Sequence, residues 1–263
     1  MRVTAVQTFR ADGGWRPLSF LKLETDEGLA GWSEFSEGPW SPAICDVIAT
    51  LGGSVIGEDP RQFALLSARL HAITQFTAGG LSHQAIAAIE NACIDIAAKA
   101  ADLPVFALFG GPFRTEVDLY WSHCGSFRVR HADFFERVLG RPRITKIDDF
   151  RLLGQEAIER GYKAVKTNPI AFGAEGPRLM NPGFNAEGLR FGRTIDHATL
   201  RSMEDQVAAL RDGLGSDAAH MFDVNLGFRP EALRRIARVI ASSRPTWLEA
   251  DLHDPAALAA VRS

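Results

Sequence analysis

Three short apolar runs in the second half of the chain close on polar side chains: Ala164-Val165-Lys166-Thr167-Asn168, Met221-Phe222-Asp223-Val224-Asn225 and Trp247-Leu248-Glu249-Ala250-Asp251. If each run is a strand, alternation puts Lys166 on one face with Asn168, Asp223 with Asn225, and Glu249 with Asp251. Asp223 and Glu249 stand one strand, one helix and one return apart, which places them at equivalent positions on neighbouring strands roughly 4.8 Å apart. Two carboxylates that close repel each other unless a cation sits between them. Hard oxygen donors without cysteine or clustered histidine favour magnesium over zinc. A lysine at a third strand end would face an anionic substrate and, with the metal, stabilise an oxyanion developing there. Taken singly, either acid could cap a helix or sit solvated at a sheet end, and Lys166 could be an ordinary surface lysine. The matched positions of all three favour a site.

Such a constellation needs a parallel α/β scaffold, in which chemistry gathers at the carboxyl ends of the strands. From Glu116 onward short apolar runs alternate with amphipathic stretches. Strands are predicted at Val117–Ser122, Tyr162–Thr167, His220–Asp223 and Thr246–Glu249, with helices near Ile147–Arg160, Leu200–Leu214, Pro230–Ser242 and Pro255–Val261. That makes about four βα units. The glycine-, asparagine- and proline-rich stretch between Pro169 and His197 is too long for an ordinary connection and reads as a functional loop or lid. The first part differs. It offers an antiparallel meander, Val3–Phe9, Leu18–Thr25 and Gly28–Phe35, with Asp26-Glu27-Gly28 as a turn. A helix follows whose Ile86, Ile89, Cys93, Ile96 and Ala100 share one face. Pro104 and Gly110-Gly111-Pro112 then punctuate the chain, giving an α+β domain over residues 1–113 and an α/β domain over 114–263.

Composition narrows the function classes. The chain has 263 residues and 46% hydrophobic content, enough for buried cores. Its 29 basic and 32 acidic side chains give a formal charge of −3 without any basic run, so nucleic acid is not an expected partner. Residues Met1–Phe9 lack the apolar stretch of a signal peptide, and the alanine-rich segment near residue 90 is broken by Glu90, Asp95 and Lys99, so no membrane association is expected. Cys45, Cys93 and Cys124 form no CxxC pair, which argues for reduced thiols and a cytoplasmic location.

The segment AIAAIENACIDIAAKAADLPVFALFGG (85–111), followed by GYKAVKTN (161–168), MFDVN and WLEAD, resembles the enolase superfamily. Within it the sequence is similar to the mandelate racemase/muconate lactonizing enzyme group, in particular to galactonate dehydratase-like acid-sugar dehydratases. The resemblance implies an α+β capping domain followed by a partial (β/α) barrel. It implies a Mg2+ cofactor held by three acids on consecutive strands, of which Asp223 and Glu249 match the first two. The third, and a histidine base supported by aspartate, would lie beyond Ser263, so the chain is expected to be truncated in the barrel. Many relatives carry Lys-x-Lys on the second strand; Lys166-Thr167-Asn168 instead follows the Lys-x-Asn of the acid-sugar dehydratases. Those often have Asp-x-His on strand three, where this chain has Asp223-Val224-Asn225, leaving no base accounted for on that side.

The resemblance also implies two substrate-covering loops, matching Asp12–Trp15 and Phe35–Trp40, so that Trp15 or Trp40 would touch substrate. Ser122, His123 and Cys124 close the first barrel strand and could reach the ligand, although a lone histidine such as His123 has many structural uses. His83 and Asp95 read as structural. The expected function is dehydration of a sugar acid through an enediolate, with Lys166 catalytic, Asn168, Asn225, Trp15, Ser122 and His123 binding substrate, and Asp223 and Glu249 binding metal. Racemisation or epimerisation of a 2-hydroxy acid is the alternative within the family; a non-catalytic truncated protein or binding domain is the alternative outside it. The expected partner is a small anionic substrate, and the full-length protein is expected to be a homo-oligomer.

Overall fold

The computed structural model describes residues 1–38, 41–173, 175–180, 195–225 and 228–262. The chain folds as two compact units, Met1–Thr115 and Glu116–Ser263.

In the first unit, β1 (Val3–Asp12), β2 (Pro17–Thr25) and β3 (Ala30–Phe35) form an antiparallel sheet in sequential order. Alternation on β2 buries Ser19, Leu21, Leu23 and Thr25 on one face. Helices α1 (Ile44–Gly52), α2 (Phe63–Ile73) and α3 (Gly80–Ala100) supply the other side of the core, with the short α4 (Val105–Leu108) following. Leu21 and Leu23 share a cluster with Ile44, Ile48, Ile86, Ile89, Cys93 and Ile96. The predicted stripe of α3 is buried as far as Ile96, whereas Ala100 ends the helix exposed. Gly31 is where β3 meets α3: a Cβ there would lie 2.0 Å from the carbonyl oxygen of Ala92. Asp95 pins this contact by accepting from the Trp32 amide at 2.8 Å and from Lys99 Nζ at 2.7 Å, a structural use of the residue. His83 packs edge-on to His71.

The second unit opens with the short helices α5 (Ser126–Arg130) and α6 (Ala132–Arg137), then α7 (Asp149–Glu159) and strand β4 (Ala164–Thr167). An antiparallel hairpin follows, β5 (Ile170–Gly173) and β6 (Gly176–Leu179). Next come α8 (His197–Leu214), β7 (Ala219–Asp223), α9 (Pro230–Ile240), β8 (Trp247–Glu249) and α10 (Pro255–Arg262). Strands β4, β7 and β8 pair in parallel in that order. The pattern of α9 shows why: Ala232, Leu233, Ile236 and Ile240 are buried on one stripe, and Pro230 starts the helix where no amide donor is needed. Val165 and Phe222 pack with the helices in clusters built from Phe150, Leu153 and Leu210, and from Met203, Val207 and Ile236.

Two expectations change. The predicted strand Val117–Ser122 reduces to a single parallel bridge, Trp121 to Val165, carried by hydrogen bonds from the Trp121 amide to the Ala164 carbonyl and from the Lys166 amide to the Trp121 carbonyl. Upstream, Val117 and Leu119 are 70% and 72% exposed, so the alternation that suggested a strand has no surface to bury there. The stretch read as one long loop or lid begins instead with the β5–β6 hairpin, its turn helped by Gly176 at φ 97°. Its remainder, residues 181–194 together with 174, lies outside the described residues, as does Trp40.

His220 sits fully buried on β7 with Nδ1 2.6 Å from Arg211 Nη2, and Nε2 finds no partner among the described residues. Burial, and then the Arg211 charge, push its pKa from 6.5 down to about 4. The folded state therefore holds a neutral imidazole where the unfolded chain would be protonated. Stability rises with pH across that window and is lost as pH falls from 6.5 towards 4. Urea unfolding at pH 7 and pH 4.5 should show a loss in the native protein exceeding that in His220→Asn by about 2–3 kcal/mol, one pKa unit being worth about 1.4 kcal/mol. Equal losses would show that His220 is not held neutral.

Candidate active site

The parallel register aligns Lys166 with Met221, Met221 with Trp247, and Asp223 with Glu249. In-register partners on parallel strands point to the same side, and Thr167, Phe222 and Leu248 occupy the alternate positions. Since Phe222 and Leu248 pack on the helices, Lys166, Asp223 and Glu249 project from the opposite face. Lys166 Nζ donates to Glu249 Oε2 at 2.9 Å and lies 3.4 Å from Asp223 Oδ2. The Lys166 and Asp223 side chains are 11% and 9% exposed, Glu249 40%. Burial works against the lysine charge, but the hydrogen bond to Glu249 and the charges of Asp223 and Glu249 outweigh it, so the ammonium is held above its usual range.

One lysine against two carboxylates leaves the cluster with a formal excess of one negative charge. The two acids converge on a single cationic point, and both offer hard oxygens. Among the described residues no set of three histidine, cysteine, aspartate or glutamate side chains is grouped to hold a metal. Magnesium usually takes only one or two carboxylates and fills its octahedron with water and substrate oxygens, so this donor pair fits it. Asp223 Oδ1 is already engaged by the Asn225 amide at 3.0 Å, leaving Oδ2 toward the lysine.

The asparagines do not extend the strand alternation. Asn225 has φ 55°, beyond the end of β7, so it turns in the left-handed region rather than continuing the face of Asp223. Its buried Nδ2 has no hydrogen-bond partner among the described residues. Asn168 is buried just past β4 and knits the strand ends together. Its Nδ2 donates to the Asp223 carbonyl at 3.0 Å, and its Oδ1 lies 2.9 Å from both Ser126 Oγ and His123 Nδ1. Its amide donates to Ser126 Oγ and its carbonyl accepts from Gln206 Nε2. Gln206, fully buried on α8, also takes the Ile170 amide through Oε1.

Ser126 and Gln206 were missed in the sequence. Gln206 had left a signal, being a polar residue on the apolar stripe of Met203, Val207 and Leu210. Ser122 is exposed; Cys124 is buried, and its amide donates to the Lys166 carbonyl. Trp15 belongs to the first unit, where it carries Arg16 over its ring at 4.7 Å and lines an open hollow of about 450 Å³ with Arg10, Asp12 and Pro17.

The α+β unit followed by a barrel-like α/β unit matches the enolase superfamily fold with its capping and barrel-like domains. Residues 3–110 match the mandelate racemase/muconate lactonizing enzyme N-terminal domain, and residues 150–263 the enolase C-terminal domain-like family. The chain belongs to the mandelate racemase/muconate lactonizing enzyme group. It is 32% identical over 249 residues to D-galactonate dehydratase of Variovorax paradoxus, covering 95% of this chain and 55% of that protein. It thus spans about half the length of the curated relatives it matches.

A crystal structure of a Burkholderia xenovorans protein bearing the provisional name L-alanine-DL-glutamate epimerase superposes with TM-score 0.93 at 36% identity, over 100% of this chain and 65% of that one. The same protein has been solved with magnesium and fumarate (TM-score 0.92, 36% identity, 99% and 64% coverage). Among the described residues no helix is long and apolar enough to cross a membrane.

If Asn168 is the tie between strand ends, Asn168→Ala should lower the unfolding free energy by about 1–3 kcal/mol through the unsatisfied groups it leaves buried. Urea denaturation checks this; an unshifted midpoint would contradict it.

Proposed function

We propose that the full-length protein is a magnesium-dependent dehydratase of a sugar acid, with this α/β unit contributing about four βα units of its barrel. The observation that carries the reading is the convergence of Asp223, Glu249 and Lys166 on one face of the parallel sheet. Asp223 and Glu249 would hold the ion, which when bound supplies Lewis-acid stabilisation of negative charge on the substrate carboxylate. Lys166, held protonated by its neighbours, places a second positive charge beside that carboxylate. Charge on the carboxylate grows when the adjacent carbon loses its proton, so the lysine interacts more strongly with the enediolate than with the substrate. Departure of the β-hydroxyl as water then gives a 2-keto-3-deoxy acid. The D-galactonate dehydratases similar to this chain support an acidic sugar as substrate. We also assign Ser122 and His123, which follow the Trp121 bridge at the strand ends, to the substrate-facing surface.

The second reading is racemisation or epimerisation of a 2-hydroxy acid; the epimerase name of the Burkholderia protein supports the reaction type alone, since it refers to amino acids. That reading requires a base on each side of the carbon, and Asn168, whose amide is tied to Ser126 and Asp223, cannot serve as one.

A screen of acid sugars with magnesium should reveal formation of a 2-keto-3-deoxy acid, and Lys166→Ala should lower kcat by about a hundred-fold or more while changing KM far less. Loss confined to KM would make the lysine a mere anchor; absence of dehydration across the screen would remove the reading.

A further inference from the structure

The sequence supplies no base at the end of β7, where Asn225 stands, and Asn168 is no base either. His220 is sealed in the core against Arg211, and His253 is exposed beyond β8. His123 is differently placed. It follows the Trp121 bridge, immediately before Cys124, whose amide bonds to the Lys166 carbonyl. It is half-buried and adopts φ 51°, a left-handed conformation that is strained for a non-glycine residue and recurs at functional sites. Its ring stacks on Phe127 with centroids 4.2 Å apart and planes 23° apart, so the orientation of the imidazole is fixed.

The hydrogen-bond chain also fixes its tautomer. The Asp223 main-chain oxygen can only accept, so the Asn168 atom facing it at 3.0 Å must be Nδ2. The atom facing His123 Nδ1 at 2.9 Å is therefore Oδ1, which cannot donate. The proton must sit on Nδ1, and the lone pair of the neutral ring on Nε2. No partner for Nε2 is found among the described residues. An amide oxygen on Nδ1–H orients the ring and stabilises the positive charge it acquires on taking a second proton, which is what a general base requires.

We propose that His123 Nε2 is the proton-transferring group of the reaction and Asn168 its positioning residue, an inference that rests on the dehydratase reading. Nε2 takes the proton from the carbon beside the carboxylate, and the C–H electron pair passes into the enediolate. The β C–O bond then breaks with its pair on oxygen, and that oxygen takes the proton from Nε2–H and leaves as water. The neutral imidazole is restored, and the enol becomes the 2-keto acid.

The test has two parts. Long-range proton–nitrogen NMR of the native protein should show Nδ1 of His123 protonated and Nε2 bearing the lone pair, assigned by its loss in His123→Gln. A protonated Nε2 in the neutral ring overturns the inference whatever the activity. With D-galactonate and magnesium as probes, His123→Gln should lower kcat by about a hundred-fold or more and leave KM within about three-fold, the split expected when only proton transfer is removed. The thermal melt of the variant should stay cooperative. An active native enzyme with an equally active His123→Gln overturns this inference alone. A native enzyme that dehydrates no acid sugar overturns the dehydratase reading and the inference with it.

Discussion

The in-register parallel pairing of β7 with β8 is the constraint on which the candidate site depends. Because Asp223 aligns with Glu249, two carboxylates are forced onto the same face at adjacent strand ends, where neither can avoid the other's charge. Lys166, contributed by β4 on the far side of β7, is brought within 2.9 Å of Glu249 and 3.4 Å of Asp223. A one-residue slip in either pairing would turn one of the three toward the helices and leave a charge in an apolar core. The burial of Phe222 against Met203, Val207 and Ile236 is what forbids that slip.

Such a cluster is poor evidence of stability, since withdrawing charges from water costs about as much as their attraction returns. Its value lies in chemistry. Two partly buried acids with one lysine keep a residual negative charge that favours a divalent cation, and the lysine stays protonated beside the place where an anion would bind. At the strand ends, the buried amide of Asn168 couples Ser126, His123 and the Asp223 carbonyl, so that β4 and β7 are tied to the segment before α5.

Much of this was legible from residue order. Apolar runs closing on Lys166, Asp223 and Glu249 gave β4, β7 and β8 within a few residues, because a strand buried against helices needs an uninterrupted apolar face. The α3 stripe was equally clear through Ile86, Ile89, Cys93 and Ile96. What failed to show was non-local. Val117 and Leu119 alternate like a strand, yet pairing is decided by neighbours, and only Trp121 finds one. Extending alternation past the strand ends misplaced Asn225, whose left-handed turn no periodicity reveals, and it hid the role of Asn168, whose partners come from α5, α8 and the segment before α5. The hairpin after Pro169 was obscured by glycines that mark its turn as readily as they mark an open loop.

Isothermal titration of magnesium into the full-length protein and into Asp223→Asn and Glu249→Gln bears most directly on the account. One ion should bind the native protein, and each substitution should weaken it by about ten-fold or more, as expected when a ligand is lost from a site with so few protein donors. Native affinity in both variants would contradict the assignment of these two carboxylates, and with it the chemistry built on their convergence.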